Sequence, residues 1–167
     1  PVVIPVGKNI SPDGKFASRY RLMWEVPYAP GVLEVTGYKG RKKAAVATVR
    51  TAGEAARVSL VPDRAAIRAD GDDLSFVTVR IEDAAGNLCP LAGNLVRFQV
   101  SGPGSIAAVD NGNAATVEPF QTDSRKAFNG LALVIVRSQA GQAGKIQVTA
   151  VSDGLQAGAA TLAAAVK

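Results

Sequence analysis

Two short polar stretches hold the groups best able to do chemistry in this chain. Asp110-Asn-Gly-Asn113 gathers a carboxylate and two amides within one turn-like segment, and Arg125, Phe128 and Asn129 follow it. Carboxylate and amide groups pair well with sugar hydroxyls, and an aromatic ring stacks on a sugar's apolar face. The same residues also read as a plain turn, with Phe120 and Phe128 as core anchors. Asp110, Asn111 and Asn113 are therefore the candidate sugar-contacting residues, and both readings stay open. Asp70-Gly-Asp-Asp73 resembles a calcium loop in composition. Calcium takes six to eight oxygens, however, and the EF-hand spacing is absent. A β-turn with solvated acids accounts for it better.

What the chain lacks narrows the chemistry further. It contains no histidine, which removes the commonest general base and the commonest transition-metal ligand. A Ser-His-Asp triad and a His-rich zinc site are thereby excluded. The single cysteine, Cys89, allows no intrachain disulfide and has no basic sequence neighbour to lower its pKa. It reads as a small, semi-buried residue at a strand end. Residues 1–57 carry 10 basic and 4 acidic side chains, and the remainder carries 9 and 10, so the net charge of +5 lies in the first third. Its densest point is Lys39-Gly-Arg-Lys-Lys43, between two strand-like runs. Only Tyr38 flanks that run and no amphipathic helix accompanies it, so a solvated hairpin turn fits better than a nucleic-acid surface. No apolar run of about 20 residues is present to span a membrane.

The elements that must position these groups are strands. In Ser75–Asp83, Val77, Val79 and Ile81 point one way while Thr78, Arg80 and Glu82 point the other. One apolar face at period two means a sheet packed on one side and wet on the other. Before it, Val2–Val6 is a candidate edge strand and Asn9–Ser18 a loop. In Tyr20–Val26, Tyr20, Leu22, Trp24 and Val26 share a face suited to core packing. With Tyr28 and Tyr38, Trp24 could instead form a carbohydrate platform. Val32–Tyr38 and Ala44–Thr51 follow as strands. Three strands make a poor domain, so the first module, residues 1–53, is expected to be incomplete.

Thr51–Ala56 reads as a linker, and residues 54–167 as a complete module. Its further strands are a short one around Val58 and Leu60, then one on Val96, Phe98 and Val100, then Ser105–Val109. Leu131–Ser138 is nearly all apolar and reads as a central strand buried on both faces or nearly so, with Leu133 and Ile135 in the core. Lys145–Ser152 and Ala157–Val166 complete the set. Turns at this spacing without helical periodicity indicate a Greek-key sandwich. The fold class is all-β, in tandem immunoglobulin-like β-sandwich modules.

Ile67–Pro90 resembles the invasin-type immunoglobulin-like modules of bacterial surface proteins and polysaccharide-degrading enzymes. The order of blocks resembles a more specific family. Tyr20-Arg-Leu-Met-Trp-Glu-Val-Pro-Tyr-Ala-Pro-Gly-Val-Leu-Glu-Val-Thr-Gly-Tyr-Lys39, with the ending Val49-Arg-Thr-Ala-Gly53, is similar to the penultimate accessory domain of glycoside hydrolase family 2 enzymes of the β-galactosidase type. Ala69–Val79, Val100–Gly104, Val109–Gly112, Glu118–Phe120 and Arg125–Gly130 are similar to that family's C-terminal immunoglobulin-like domain. Residues 1–18 match poorly.

The resemblance implies chemistry performed by two glutamates on an upstream TIM barrel. None of Glu25, Glu34, Glu54, Glu82 or Glu118 occupies the corresponding motifs, so no catalytic residue, cofactor or metal ligand is assigned here. It also implies an accessory or scaffold role in a bacterial enzyme that is periplasmic or secreted. The implied partners are the upstream catalytic domains, the carbohydrate substrate and, in the parent, a second copy. A start at Pro1-Val-Val-Ile reads as a processed product or a piece of something longer. The alternative function is a carbohydrate-binding or cell-surface adhesion module.

Overall fold

The computed structural model describes residues 26–166. The strand readings for Val2–Val6 and most of Tyr20–Val26, the Asn9–Ser18 loop, and the packing of Trp24 lie outside these residues. Eleven strands follow in chain order: β1 (Val32–Lys39), β2 (Lys42–Arg50), β3 (Ala55–Pro62), β4 (Ala66–Arg68), β5 (Leu74–Asp83), β6 (Leu95–Ser101), β7 (Gly104–Asp110), β8 (Ser124–Lys126), β9 (Leu131–Ser138), β10 (Gly144–Val151) and β11 (Gly158–Ala165). No helix occurs among the described residues.

β1 and β2 pair only with each other, as an antiparallel hairpin turning through the basic run. Its register opposes Leu33 to Val49, Val35 to Ala47 and Gly37 to Ala45. Side chains of opposed residues share a face, so one face of the hairpin is apolar from Leu33 and Val49 up to Gly37 and Ala45, where the basic turn begins. The other carries Glu34, Thr36, Thr48 and Arg50.

The remaining strands form an immunoglobulin-like β-sandwich. A four-stranded sheet, ordered β3-β5-β9-β7, faces a five-stranded sheet, ordered β4-β11-β10-β6-β8. The first contributes Val58, Val77, Val79, Ile81, Val109, Val134 and Val136 to the core. The second contributes Ile67, Val96, Phe98, Ile146, Val148, Ala150, Leu162 and Ala164. The thin core follows from composition: valine and alanine dominate it. Gly102 allows the sheet-to-sheet turn between β6 and β7. Its φ is +89°, and a Cβ there would sit 2.1 Å from the Lys145 carbonyl oxygen, so only glycine fits.

The alternation in β5 holds as expected, with Val77, Val79 and Ile81 fully buried. Glu82 departs from the expected wet face. It is buried because Arg57 and Arg80 both donate to its carboxylate, at 3.1 and 2.8 Å. β9 is central, between β5 and β7, but only one of its faces is fully buried, and Leu133 and Ile135, expected in the core, lie on the other. Ala132, Val134 and Val136 face the core, while Leu133 and Ile135 are half-buried on the outer face. The pairings Val134–Val77 and Ala132–Val79 impose this phase, because opposed residues share a side of the sheet. The expected core anchors Phe120 and Phe128 are 49% and 40% exposed. The core between the sheets is already closed by small aliphatic side chains, and both rings sit in the loops beside β8. The stretch read as a linker is shorter than expected, since Ala55 and Ala56 already belong to β3.

Candidate functional site

The segment from Asp110 to Asp123 joins β7 to β8 and carries the three candidate residues together on one loop. Each of their side chains closes a bond within the loop or beside it. Asp110 Oδ1 accepts from the backbone N–H of Asn111 at 2.7 Å and of Gly112 at 3.3 Å. Asn111 Nδ2 donates to the Lys126 carbonyl at 2.9 Å, and its Oδ1 accepts from the Asn113 N–H at 3.0 Å. Asn113 Oδ1 accepts from the Ala115 N–H at 3.0 Å. These are successive Asx turns, the local bonding that Asp and Asn offer a backbone leaving a strand. Asp110, Asn111 and Asn113 are all half-buried. The polar groups read from sequence as sugar partners are thus spent largely on holding the loop's own shape.

The sequence marks Arg125 only as a polar neighbour of the loop; its burial and its hold on the loop are what reasoning from sequence missed. Its side chain is wholly buried, which is unusual for an arginine without dense pairing. Nη2 donates to the carbonyls of Val109 at 2.9 Å and Pro119 at 2.8 Å. Nη1 donates to the Glu118 carbonyl and carboxylate, both at 3.3 Å. The planar fork thereby ties both ends of the loop to β8. Phe120 lies over the guanidinium, 5.4 Å from ring centroid to Cζ, in cation–π range. The outer side of the loop presents Val117, 98% exposed, and the rim of Phe120. Tyr28 and Tyr38, the described members of the aromatic platform considered from sequence, are exposed as well.

The calcium-like turn is organised by arginines. Asp70 Oδ1 accepts from the N–H groups of Asp72 and Asp73, and Arg68 pairs with Oδ2 at 3.2 Å. Asp73 accepts from the Arg68 N–H at 2.8 Å and pairs with Arg64 at 2.7 Å. Backbone N–H groups chiefly hold both carboxyls below the usual carboxylate range. Arginine counter-charges and occupied lone pairs leave no cation cage. Among the described residues no cluster of His, Cys, Asp or Glu is disposed to hold a metal ion.

A third cluster sits where the chain enters the sandwich. Asp83 accepts from Asn87 Nδ2 at 2.9 Å, from the Asn87 N–H at 2.8 Å and from the Gly53 N–H at 2.8 Å. These bonds, led by the Asn87 side chain, lower its pKa from 3.8 to about 2. Cys89 is buried beside it. Burial first, and then the charges of Asp83 and Glu82, push its thiol up, so it is protonated and unreactive at neutral pH. Asp83, Asp70, Asp73 and Glu82 all have folded pKa values below their unfolded ones. Their stabilisation is complete above the unfolded value near 4 and is lost as pH falls towards about 2. Urea midpoints should therefore stay level from neutral pH to about pH 5 and then drop steeply through this acid window. Asp83→Asn should flatten part of that drop. A midpoint unchanged down to pH 2 would contradict the assignment.

With this geometry in view, the relatives of the chain can be placed. The family model for glycoside hydrolase family 2 C-terminal domain 5 matches residues 58–161. A second family, described as a domain of unknown function, matches residues 6–45. A β-galactosidase of Bacteroides ovatus is 43% identical over 150 residues, covering 90% of this chain and 18% of that protein. A solved glycosyl hydrolase family 2 member from Bacteroides cellulosilyticus superposes with a TM-score of 0.79 at 37% identity, covering 85% of this chain and 18% of that one. A β-glycosidase from Bacteroides vulgatus gives a TM-score of 0.81 at 29% identity, covering 89% and 20%. The chain thus spans about a fifth of the length of each. The match runs from within β3 to within β11 and includes the loop held by Arg125, and the chain belongs to the glycoside hydrolase family 2 C-terminal domain 5 family.

Proposed function

We propose that this chain is a non-catalytic accessory region of a longer family 2 glycoside hydrolase of the β-galactosidase type. Its role is architectural. It packs on the upstream catalytic domains, borders their cleft, or supports contacts between copies of the parent. Residues 1–53 make a partial accessory module in this reading, and residues 54–167 the complete immunoglobulin-like one. The parent is an exported bacterial enzyme, periplasmic or secreted, as the resemblance implies.

One observation carries the reading: the candidate sugar-contacting groups of Asp110, Asn111 and Asn113 are engaged by their own loop. A sugar site keeps such groups free and lines them with an enclosed, mostly apolar wall. Here the loop is rigidly held and turned outward, which suits a contact surface. If Asp110, Asn111 or Asn113 meets carbohydrate at all, it does so as part of the parent's cleft rim, where other domains supply the enclosure. The reading is supported further by the short share of each relative's length that the chain spans.

The test is turnover. The purified 167-residue chain should release no chromophore from aryl β-galactosides or related glycosides, since it has no histidine and the described residues offer no pair of carboxylates in a cleft. Activity that survives repurification and tracks with the chain would overturn the proposal.

A further inference from the structure

The passage from the hairpin into the sandwich is tied at both of its ends. On the hairpin side, Thr51 donates its N–H to the Gly31 carbonyl at 2.8 Å, and the Gly31 N–H donates to Thr51 Oγ1 at 3.0 Å. On the sandwich side, Gly53 gives its N–H to Asp83 Oδ2 at 2.8 Å. The Cys89 thiol lies 3.6 Å from the Gly53 carbonyl oxygen, so one polar group of this residue meets the last residue of β5 and the other meets the loop that follows β5. A single residue, Ala52, separates the two ties, and it packs against the core.

From this arrangement we infer that Asp83 is a clamp that locks the hairpin onto the sandwich, so that both move as one body. A Gly-containing, small and polar passage would otherwise swivel freely. The clamp removes that freedom at its midpoint. The bond is charge-assisted, which makes it among the stronger kinds, and Asp83 is itself held still by two bonds from Asn87. A rigid passage presents the hairpin's apolar face, Leu33, Val35, Ala45, Ala47 and Val49, in one fixed direction. Asp83 is thus a positioning residue. The inference deepens the scaffold reading, which needs its parts held at set angles. Its test reads motion alone, so its failure is distinct from a failure of that reading.

The experiment is 15N relaxation and amide exchange on the full 167-residue chain. In the native protein, amides of β1 and β2 should share the rotational correlation time of β5 and β9. In Asp83→Ala the hairpin should tumble faster than the sandwich, and exchange at Gly53 should rise at least about tenfold, as the loss of a charge-assisted bond implies. Asp83→Leu keeps most of the side chain's volume and offers no acceptor, so it decides the matter should Asp83→Ala fail to fold. It too should free the hairpin. Hairpin and sandwich sharing one correlation time in both variants would overturn the inference. Asn87→Ala removes the side-chain bond to Asp83 and leaves the Gly53 bond in place; release there as large as in Asp83→Ala would overturn it as well, because Asp83 would then act through the Asn87 turn.

Discussion

Replacing Arg125 with methionine is expected to cost the sandwich about 2–4 kcal/mol, out of proportion to a residue on a three-residue edge strand. Methionine keeps much of the volume, so lost packing is not the main term. What goes is the donor set. The carbonyls of Val109 and Pro119 lose their side-chain donor, at 2.9 and 2.8 Å, and the Val109 bond is one that water does not reach. An unpaired buried acceptor is penalised far more than a made bond is rewarded. The Glu118 carboxylate contributes less, because its side chain is 36% exposed and water can replace the partner. One effect runs the other way: Arg125 Nε is buried with no protein partner, and its removal relieves a small penalty. Arg125→Lys restores the charge without the fork and should fall between the two. Urea unfolding followed by far-UV circular dichroism measures the loss, and amide exchange should rise across residues 110–123. A loss below about 0.5 kcal/mol would mean that the loop is held by its Asx turns alone.

The second large effect is expected at Ile81. Its side chain is fully buried in the sheet interior, at the point where β5 carries both the Gly130 and the Cys89 backbone bonds. Ile81→Ala should cost about 2–5 kcal/mol, the sum of lost transfer energy and the cavity left behind. Ile135→Ala is the control. Its side chain is half-buried on the outer face of β9, opposite Phe76, so only part of its surface leaves water on folding. Its loss should be about 1 kcal/mol. The same urea experiment reads both. Equal losses at the two positions would reverse the phase of β9.

That phase illustrates what a sequence leaves open. In β5 every second residue from Val77 to Glu82 is polar or charged, so periodicity there identifies the inner face. In β9 the run from Leu131 to Val136 is apolar throughout. Shifting such a run by one residue costs nothing that its own sequence records. Only the pairing with β5 chooses between the two faces. β4 and β8 are three residues each, too short for any period, and exist because β11 and β6 offer them edges. The turns at Asp70–Asp73 and Asp110–Asn113 were legible as turns, since Asp, Asn and Gly leave few alternatives. The bonds made by their side chains were not, because solvent, ligand and local N–H groups draw on the same acceptors. Phe120 and Phe128 were read inward because aromatic rings carry large apolar area, yet a core built from valine and alanine leaves them no room. Arg125 gave no sign of burial. Arginine is ordinarily a surface residue, and the carbonyls that draw it inward belong to a loop whose path no local pattern predicts.

The claim that the chain scaffolds rather than binds is open to one direct measurement. Titrate the 15N-labelled 167-residue chain with galactose and with galacto-oligosaccharides, following the amides of residues 110–123. The scaffold account predicts no saturable shift at millimolar sugar, a threshold of roughly −4 kcal/mol. Saturable shifts confined to this loop, abolished by Asp110→Ala and Asn111→Ala without loss of fold, would contradict it and make the chain a carbohydrate-binding module.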